Sequence, residues 1–118
     1  MELKLNIYNE LDEIVKEYTR NSYSIRMRQL KNVIETLDIE GLAMSLTGTG
    51  NNAEFIASVG RIVMNSYDTV KEIVMDIFPE LTEAEYEDAH LDEVVNVIVN
   101  IVKYSFKVIG LAGGNGKN

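Results

Sequence analysis

Residues 91–109, LDEVVNVIVNIVKYSFKVI, form the stretch on which the fold prediction depends. Their many β-branched side chains are typical of a strand, but the polar residues recur at steps of four, four, three and four, which is a helical period. These polar residues are Asp92, Asn96, Asn100, Lys103 and Lys107. The apolar face that remains is wider than a lone surface helix needs. The stretch therefore predicts a helix that other elements cover on most sides and that Gly110 ends.

The composition limits the classes of function that the chain can have. Its 118 residues suffice for one domain with one hydrophobic core. A formal net charge of −8 argues against binding to nucleic acid or to an anionic membrane, since both require a basic face. The absence of cysteine excludes disulfides, thiolate catalysis and cysteine metal sites. The start MELKLNIYNE lacks the pattern of a signal peptide, and we expect no membrane span because Asn96 and Asn100 interrupt the apolar stretch.

Outward from residues 91–109, the sequence predicts a mainly α domain of the α+β class over residues 1–109. Leu3, Leu5 and Ile7 alternate with polar residues, and residues 14–18 can pair back, which predicts an N-terminal β-hairpin over residues 1–20. Its loop should be longer than two residues because no Asn-Gly or Asp-Gly dipeptide is present. Three to four helices should follow, over residues 24–42, 53–78, 83–89 and 91–109. The glycine-rich residues 110–118 should be a disordered, flexible tail.

Several boundaries of these helices have local signals. Asn51 and Glu54 have the spacing of an N-cap and its reciprocal partner, and Pro79 should end the helix that starts there. Thr82 and Glu85 form a capping box, with Leu81 and Tyr86 at the two positions of a hydrophobic staple. Gly60 lies inside the predicted helix 53–78. It indicates either a neighbouring helix that crosses closely or an exposed glycine that the helix tolerates.

The residues that could support catalysis do not form a recognisable site. The Thr-Gly-Thr-Gly sequence at residues 47–50 has no preceding strand and no following lysine, so we interpret it as a linker and not as a phosphate loop. Glu87 and His90 have a Glu-x-x-His spacing, but a carboxylate-bridged metal site needs that motif twice and the chain has one histidine. A solvated acidic turn explains them better. We therefore expect no enzyme activity, no metal site and no cofactor.

The excess apolar surface on two predicted helices, 53–78 and 91–109, favours self-association or a helical partner. The candidate protein-binding surface consists of Val59, Val63, Val70, Val97, Ile101, Tyr104 and Val108. Tyrosine and methionine are enriched at adaptable protein surfaces, but in a small helical domain we expect most of them to complete the core.

The whole pattern resembles the tail assembly chaperones of long-tailed bacteriophages that infect Gram-positive hosts. The residues that support this resemblance are the MELKLNIY strand at the N-terminus, the helix break at residues 76–82, DIFPELT, and residues 101–104, IVKY, of the last helix. The resemblance extends over nearly the full chain, in order. Its motifs are structural and not catalytic.

This resemblance implies a protein of the host cytoplasm that coats the long helical tape measure protein while tail tube subunits assemble around it. The chaperone is then displaced and is absent from the mature virion. Members of the family are commonly made in two forms, of which the longer arises by programmed ribosomal frameshifting and is thought to recruit the major tail protein. The sequence Gly-Lys-Asn at residues 116–118 can be encoded GGA-AAA-AAC, which contains a slippery heptamer in the required phase, although synonymous codons would remove it.

A second hypothesis belongs to a different class. The chain could be a small acidic phage regulatory or inhibitory protein that binds one folded host protein as a dimer. Heterogeneous oligomers that prefer unfolded helical segments would favour the chaperone, whereas a discrete dimer with a single folded partner would favour the regulator.

Overall fold

The computed structural model describes residues 2–21, 24–37 and 52–109. It confirms the predicted architecture, in which an N-terminal antiparallel hairpin precedes a set of helices. The elements in chain order are β1 (Glu2–Tyr8), β2 (Ile14–Asn21), α1 (Met27–Thr36), α2 (Asn52–Asn65), α3 (Tyr67–Ile77), α4 (Glu83–Glu87) and α5 (Leu91–Ile109). The predicted linker at residues 47–50 and the predicted flexible tail lie outside the described residues.

The hairpin buries the apolar side chains of one of its two faces. Leu3, Leu5 and Ile7 of β1 are buried, as their alternation predicts, and the antiparallel register places Leu5 opposite Tyr18. Tyr18 is the buried residue of β2, whose other side chains are exposed or half-buried. Pairing continues to the end of β1, where Glu2 lies opposite Asn21, so β2 is three residues longer than its apolar pattern predicts.

The loop between the strands spans the five residues from Asn9 to Glu13, which confirms a connection longer than two residues. The Asn9 side chain organises it, because Oδ1 accepts hydrogen bonds from the backbone N–H groups of Leu11 at 2.9 Å and Glu13 at 3.0 Å. Asp12 has a φ of 60°, a left-handed conformation that aspartate tolerates better than most residues. A bulge lies beside the loop, between Ile7 and Tyr8 of β1, where β2 contributes one extra residue.

Helix α1 starts later than predicted, at Met27 instead of residue 24. The reason is the Gln29 side chain, whose Oε1 accepts a hydrogen bond from the backbone N–H of Arg26 and holds that residue in an extended conformation. Gln29 also donates through Nε2 to the backbone carbonyl of Asp76 at 3.0 Å, which ties the start of α1 to the end of α3. Residues 38–42, the last part of the predicted helix, lie outside the described residues.

The single helix predicted over residues 53–78 is wrong, because the chain forms two helices that meet at Ser66. Ser66 has φ −117° and ψ 44°, outside the helical region. Hydrogen bonds from Ser66 N–H to Ile62 and from Val70 N–H to the Ser66 carbonyl continue across this kink, which explains why the apolar periodicity runs through it. Of the two interpretations of Gly60, the structure supports a glycine that the helix tolerates over a close helix crossing, since a Cβ atom there would meet no atom within 4 Å.

The signals around Pro79 are confirmed. Helix α3 ends at Ile77, and Phe78 before the proline has a non-helical backbone. Thr82 Oγ1 accepts a hydrogen bond from Glu85 N–H at 3.1 Å, and Glu85 Oε1 accepts one from Thr82 N–H at 3.0 Å. The staple residues Leu81 and Tyr86 are both buried. Helix α4 ends at Glu87, two residues earlier than predicted, with Asp88 as its C-cap.

Helix α5 occupies the centre of the domain, as residues 91–109 predict. It packs against β1, α1, α2 and α3, and the Phe106 ring lies 6.2 Å from the ring of Phe55 in α2. Ile98, Ile101 and Val102 are fully buried, and most of the predicted polar stripe is exposed. Burial of this face on several neighbours is the main stabilisation of the domain.

Candidate protein-binding surface

The structure corrects the predicted binding surface at five positions. Val59, Val63, Val70, Val97 and Ile101 lie in the core, where α2, α3 and α5 cover one another. The apolar width of these helices reflects burial within the monomer. The apolar pattern of one helix shows how much of its surface must be buried. It does not show whether another helix of the same chain or a partner protein buries that surface.

The other two predicted residues are at least partly accessible. Tyr104 is half-buried and Val108 is exposed, four residues apart on the last turns of α5. They form a small apolar patch near the C-terminal end of this helix. They do not form a continuous surface with the five buried positions.

An apolar groove that sequence analysis missed lies on the outer face of α1. The groove has a volume of about 360 Å³ and is lined by Met27, Leu30, Lys31, Ile34 and Glu35, and we call it the α1 groove. Met27 is 87% exposed, while Leu30 and Ile34 are half-buried. The described residues of α1 therefore have two apolar faces. One packs on the core through Val33, and the other is open to solvent at Met27 and partly buried at Leu30 and Ile34, with Ile34 also packed against the core.

The signal for the α1 groove was present in the sequence. Met27, Leu30 and Ile34 are spaced three and four residues apart, which places them on one helical face beside the line of Gln29, Val33 and Leu37. The expectation that methionines complete the core is wrong for Met27, and also for Met64, which is 59% exposed. Periodicity alone could not separate the buried line from the exposed one.

The hairpin presents a second exposed apolar group at its tip. Leu11 is 79% exposed, and Ile14 and Val15 are exposed beside it. The flanking acidic residues are Glu10, Asp12 and Glu13. Acidic side chains interrupt this apolar group, so the tip is weaker evidence for binding than the α1 groove.

Contacts with α5 hold the hairpin tip in place. The Tyr8 ring stacks on His90 with centroids 4.0 Å apart, and His90 Nε2 lies 3.3 Å from Asp12 Oδ1. Glu93 accepts hydrogen bonds from the Tyr8 hydroxyl at 2.9 Å and from the Asn6 backbone N–H at 3.0 Å. The hydrogen bond to the Glu93 carboxylate, followed by burial, raises the pKa of the Tyr8 hydroxyl. The hairpin is therefore oriented by polar contacts as well as by its buried face.

The structure places the two polar residues of the Glu-x-x-His spacing apart from any metal-ligand group among the described residues. His90 contacts the hairpin loop, and Glu87 is exposed on α4, as a solvated acidic turn would place it. Among the described residues, no group of three histidine, aspartate or glutamate side chains could hold a metal ion. Within the same residues, no helix has both the length and the apolarity needed to cross a membrane.

A second polar cluster joins β2 to α4. Glu85 lies 3.1 Å from Lys16 Nζ and accepts a hydrogen bond from the Tyr18 hydroxyl at 2.7 Å. The Thr82 backbone N–H and the Tyr18 hydroxyl lower the pKa of Glu85 to about 2. Burial, followed by this hydrogen bond, raises the pKa of Tyr18. Each of these polar groups is satisfied by a neighbour within the fold, which is typical of a structural cluster.

We compared the chain with protein-family models, with curated proteins and with solved structures, and no match was found in any of the three.

Proposed function

We propose that this protein is a tail assembly chaperone of a long-tailed bacteriophage, which binds the tape measure protein and keeps it soluble during tail assembly. The observation that carries the proposal is the α1 groove. It places an apolar stripe beside the core that the described residues form, with Met27 exposed to solvent. Such a stripe suits a client that is itself helical and apolar.

The geometry of the stripe favours a helical client. Met27, Leu30 and Ile34 follow one helical face, so an amphipathic helix can lie along α1 and insert its own apolar residues between them. Lys31 and Glu35 border the groove and form an ion pair at 3.6 Å, which keeps its rim solvated. The net charge of −8 keeps many copies soluble on one long client.

The proposal includes a second, longer form of the protein that recruits the major tail protein. Residues 116–118 permit the slippery codons, so this part can be tested directly. The native gene with its downstream DNA is expressed with an N-terminal tag, and the intact mass of every tagged product is measured. A minor longer species joined after Lys117 or Asn118 is expected. Detection of the 118-residue form alone would contradict the frameshift and weaken the chaperone proposal.

Client binding is tested by co-expression with the tape measure protein of the same phage. We expect this client to be insoluble alone and soluble with the wild-type chain. Met27→Asp should weaken binding about tenfold, because it places a charge in the apolar stripe. Met64→Asp is the matched control, since Met64 is also an exposed methionine but lies on α2, outside the groove.

Three outcomes would contradict the proposal. The tape measure protein could be soluble without the chain, it could remain insoluble with it, or Met27→Asp could bind as well as Met64→Asp. The oligomeric state adds a further distinction. A discrete dimer that ignores the tape measure protein and captures one folded host protein would instead support a small regulatory protein.

A further inference from the structure

The outer edge of β2 carries backbone groups that the fold leaves unpaired. The Asn6 N–H donates to Glu93, so the backbone of Asn6 points away from β2. Asn6 lies directly opposite Glu17, and Lys4 lies opposite Thr19. In an antiparallel pair, the backbone N–H and C=O groups of two opposite residues either both face the partner strand or both face away from it. Because Asn6 faces away from β2, the backbone groups of Glu17 and Thr19 face away from β1. Within the described residues, no hydrogen bond reaches the backbone of either residue on this edge.

An open cavity of about 340 Å³ adjoins this edge. It is lined by Tyr18, Thr19 and Arg20 of β2 and by the turn from Ile77 to Glu80. Three consecutive residues of β2 line the cavity and no residue of β1 does, which places it towards the outer edge of the hairpin. The side chain of a strand added to β2 would enter it.

The cavity also contains a positive charge without an acidic partner. Arg20 donates to two backbone carbonyls, that of Ile77 at 3.0 Å and that of Ser24 at 3.2 Å. Among the described residues, no carboxylate forms an ion pair with it, including Glu80 at the rim. The other cation of this strand, Lys16, is paired with Glu85. An incoming carboxylate would therefore be favoured at Arg20.

We propose that the outer edge of β2, residues 16–20, binds an extended segment of a partner protein as an added antiparallel strand. Backbone hydrogen bonds to Glu17 and Thr19 provide affinity, and an apolar side chain in the cavity with an acidic side chain facing Arg20 provides specificity. This site is separate from the α1 groove, so it does not depend on the proposed chaperone function.

A second copy of the chain is a poorer occupant of this edge. Three antiparallel registers would set the outward residues Glu17 and Thr19 against their counterparts in another copy. One register sets Glu17 against Glu17, and a second sets Lys16 against Arg20, and like charges directly opposite each other destabilise a strand pair. The third sets Thr19 against Thr19 and opposes no like charges, but it pairs only residues 17–21 and, like the other two, places no carboxylate opposite Arg20. The edge therefore favours a different chain with complementary charges.

The test uses a capped peptide, Glu-Thr-Val-Lys-Thr-Val, with the full-length, isotope-labelled protein. In the antiparallel register its glutamate faces Arg20, its first valine enters the cavity, and its lysine faces Glu17. The control peptide exchanges the glutamate and the lysine, so it has the same composition with like charges opposed. Amide chemical shifts are followed by NMR as each peptide is added to millimolar concentration.

We expect saturable shifts at Glu17 and Thr19, with binding of the control peptide about tenfold weaker. Thr19→Pro should abolish binding, because it removes an outward N–H while leaving the hydrogen bonds between β1 and β2 in place. Thr19→Val keeps that N–H and should bind as the wild type does. Unchanged shifts of the β1 amides in each variant show that the hairpin is intact.

Five results would overturn the proposal. The first four are the absence of saturable shifts with either peptide, shifts confined to another surface, equal binding by Thr19→Pro and Thr19→Val, and equal binding of the two peptides. Shifts of the Glu17 and Thr19 amides with protein concentration alone would also overturn it, since they would assign the edge to a second copy.

Discussion

Two tyrosines of similar burial differ in whether the hydroxyl has a hydrogen-bond partner. Within the part of the chain that the structure describes, the buried Tyr86 hydroxyl has none, and burial raises the pKa of this group to about 12. We expect Tyr86→Phe to stabilise the domain by about 1 kcal/mol, because it removes an unsatisfied buried polar group. Tyr18→Phe is the matched comparison and should destabilise by about 2 kcal/mol, since its hydroxyl bonds to the Glu85 carboxylate at 2.7 Å. Urea unfolding of both variants checks this, and a loss of stability in Tyr86→Phe would contradict the assignment.

The lowered pKa of Glu85 makes a prediction about acid stability. A carboxylate whose pKa falls from 4.5 to about 2 on folding contributes stability that is fully present above about pH 4.5 and is lost as the pH falls toward 2. The contribution is about 2 kcal/mol after allowance for the partial exposure of the group. Glu85→Gln should therefore be less stable than the wild type near neutral pH, and the difference should shrink in acid. Glu87→Gln, an exposed change in the same helix, is the control for loss of a carboxylate outside this cluster, and both variants are measured by urea unfolding across this pH range.

At the scale of an element, a glycine inside helix α2 lowers the helix propensity of this segment. A Cβ atom at Gly60 would meet nothing within 4 Å, so Gly60→Ala adds helix propensity without a clash. We expect a gain of about 1 kcal/mol in the free energy of unfolding, measured by thermal or urea denaturation. A loss of stability would instead show that another chain or segment approaches α2 at this position. Ala57→Gly, an exposed position in the same helix, should show the opposite change.

The kink at Ser66 and the α1 groove show the same limit of element-level prediction. The hydrophobic period runs unbroken from α2 into α3, yet the backbone leaves the helical region at Ser66. The period in α1 likewise contains two adjoining apolar lines, of which one is buried and one faces solvent. Periodicity shows the direction in which a side chain points from its own helix. It does not show on which side of the helix another part of the chain lies.

At the scale of the whole molecule, stability depends on the burial of α5 among β1, α1, α2 and α3. Ile98 is fully buried at the centre of this helix. Ile98→Asp should unfold the domain, because it places an unpaired charge in the core. Asn96→Asp introduces the same charge at an exposed position of the helix and should remain folded. Far-ultraviolet circular dichroism with urea unfolding distinguishes the two, and a folded Ile98→Asp variant would mean that the core is elsewhere.

The sequence by itself determined the order and type of the elements, apart from the division of residues 53–78 into two helices. The alternation of β1, the helical period of α5, the stop at Pro79 and the capping box at Thr82 are signals within a few residues of each other, and each is confirmed. Such signals depend on backbone geometry and local hydrogen bonds, which neighbouring residues specify. The net charge of −8 also follows from the sequence alone.

Only the tertiary structure decided which apolar residues remain accessible. It placed Val59, Val63, Val70, Val97 and Ile101 in the core and left the α1 groove outside. It also left the outward backbone groups of Glu17 and Thr19 without a hydrogen-bond partner among the described residues, whereas on the opposite edge of the hairpin Glu93 accepts from the Asn6 N–H. Burial and edge pairing are properties of contacts between residues distant in the chain. A local pattern cannot contain them, since the same apolar face can be covered by a neighbouring element or by a partner.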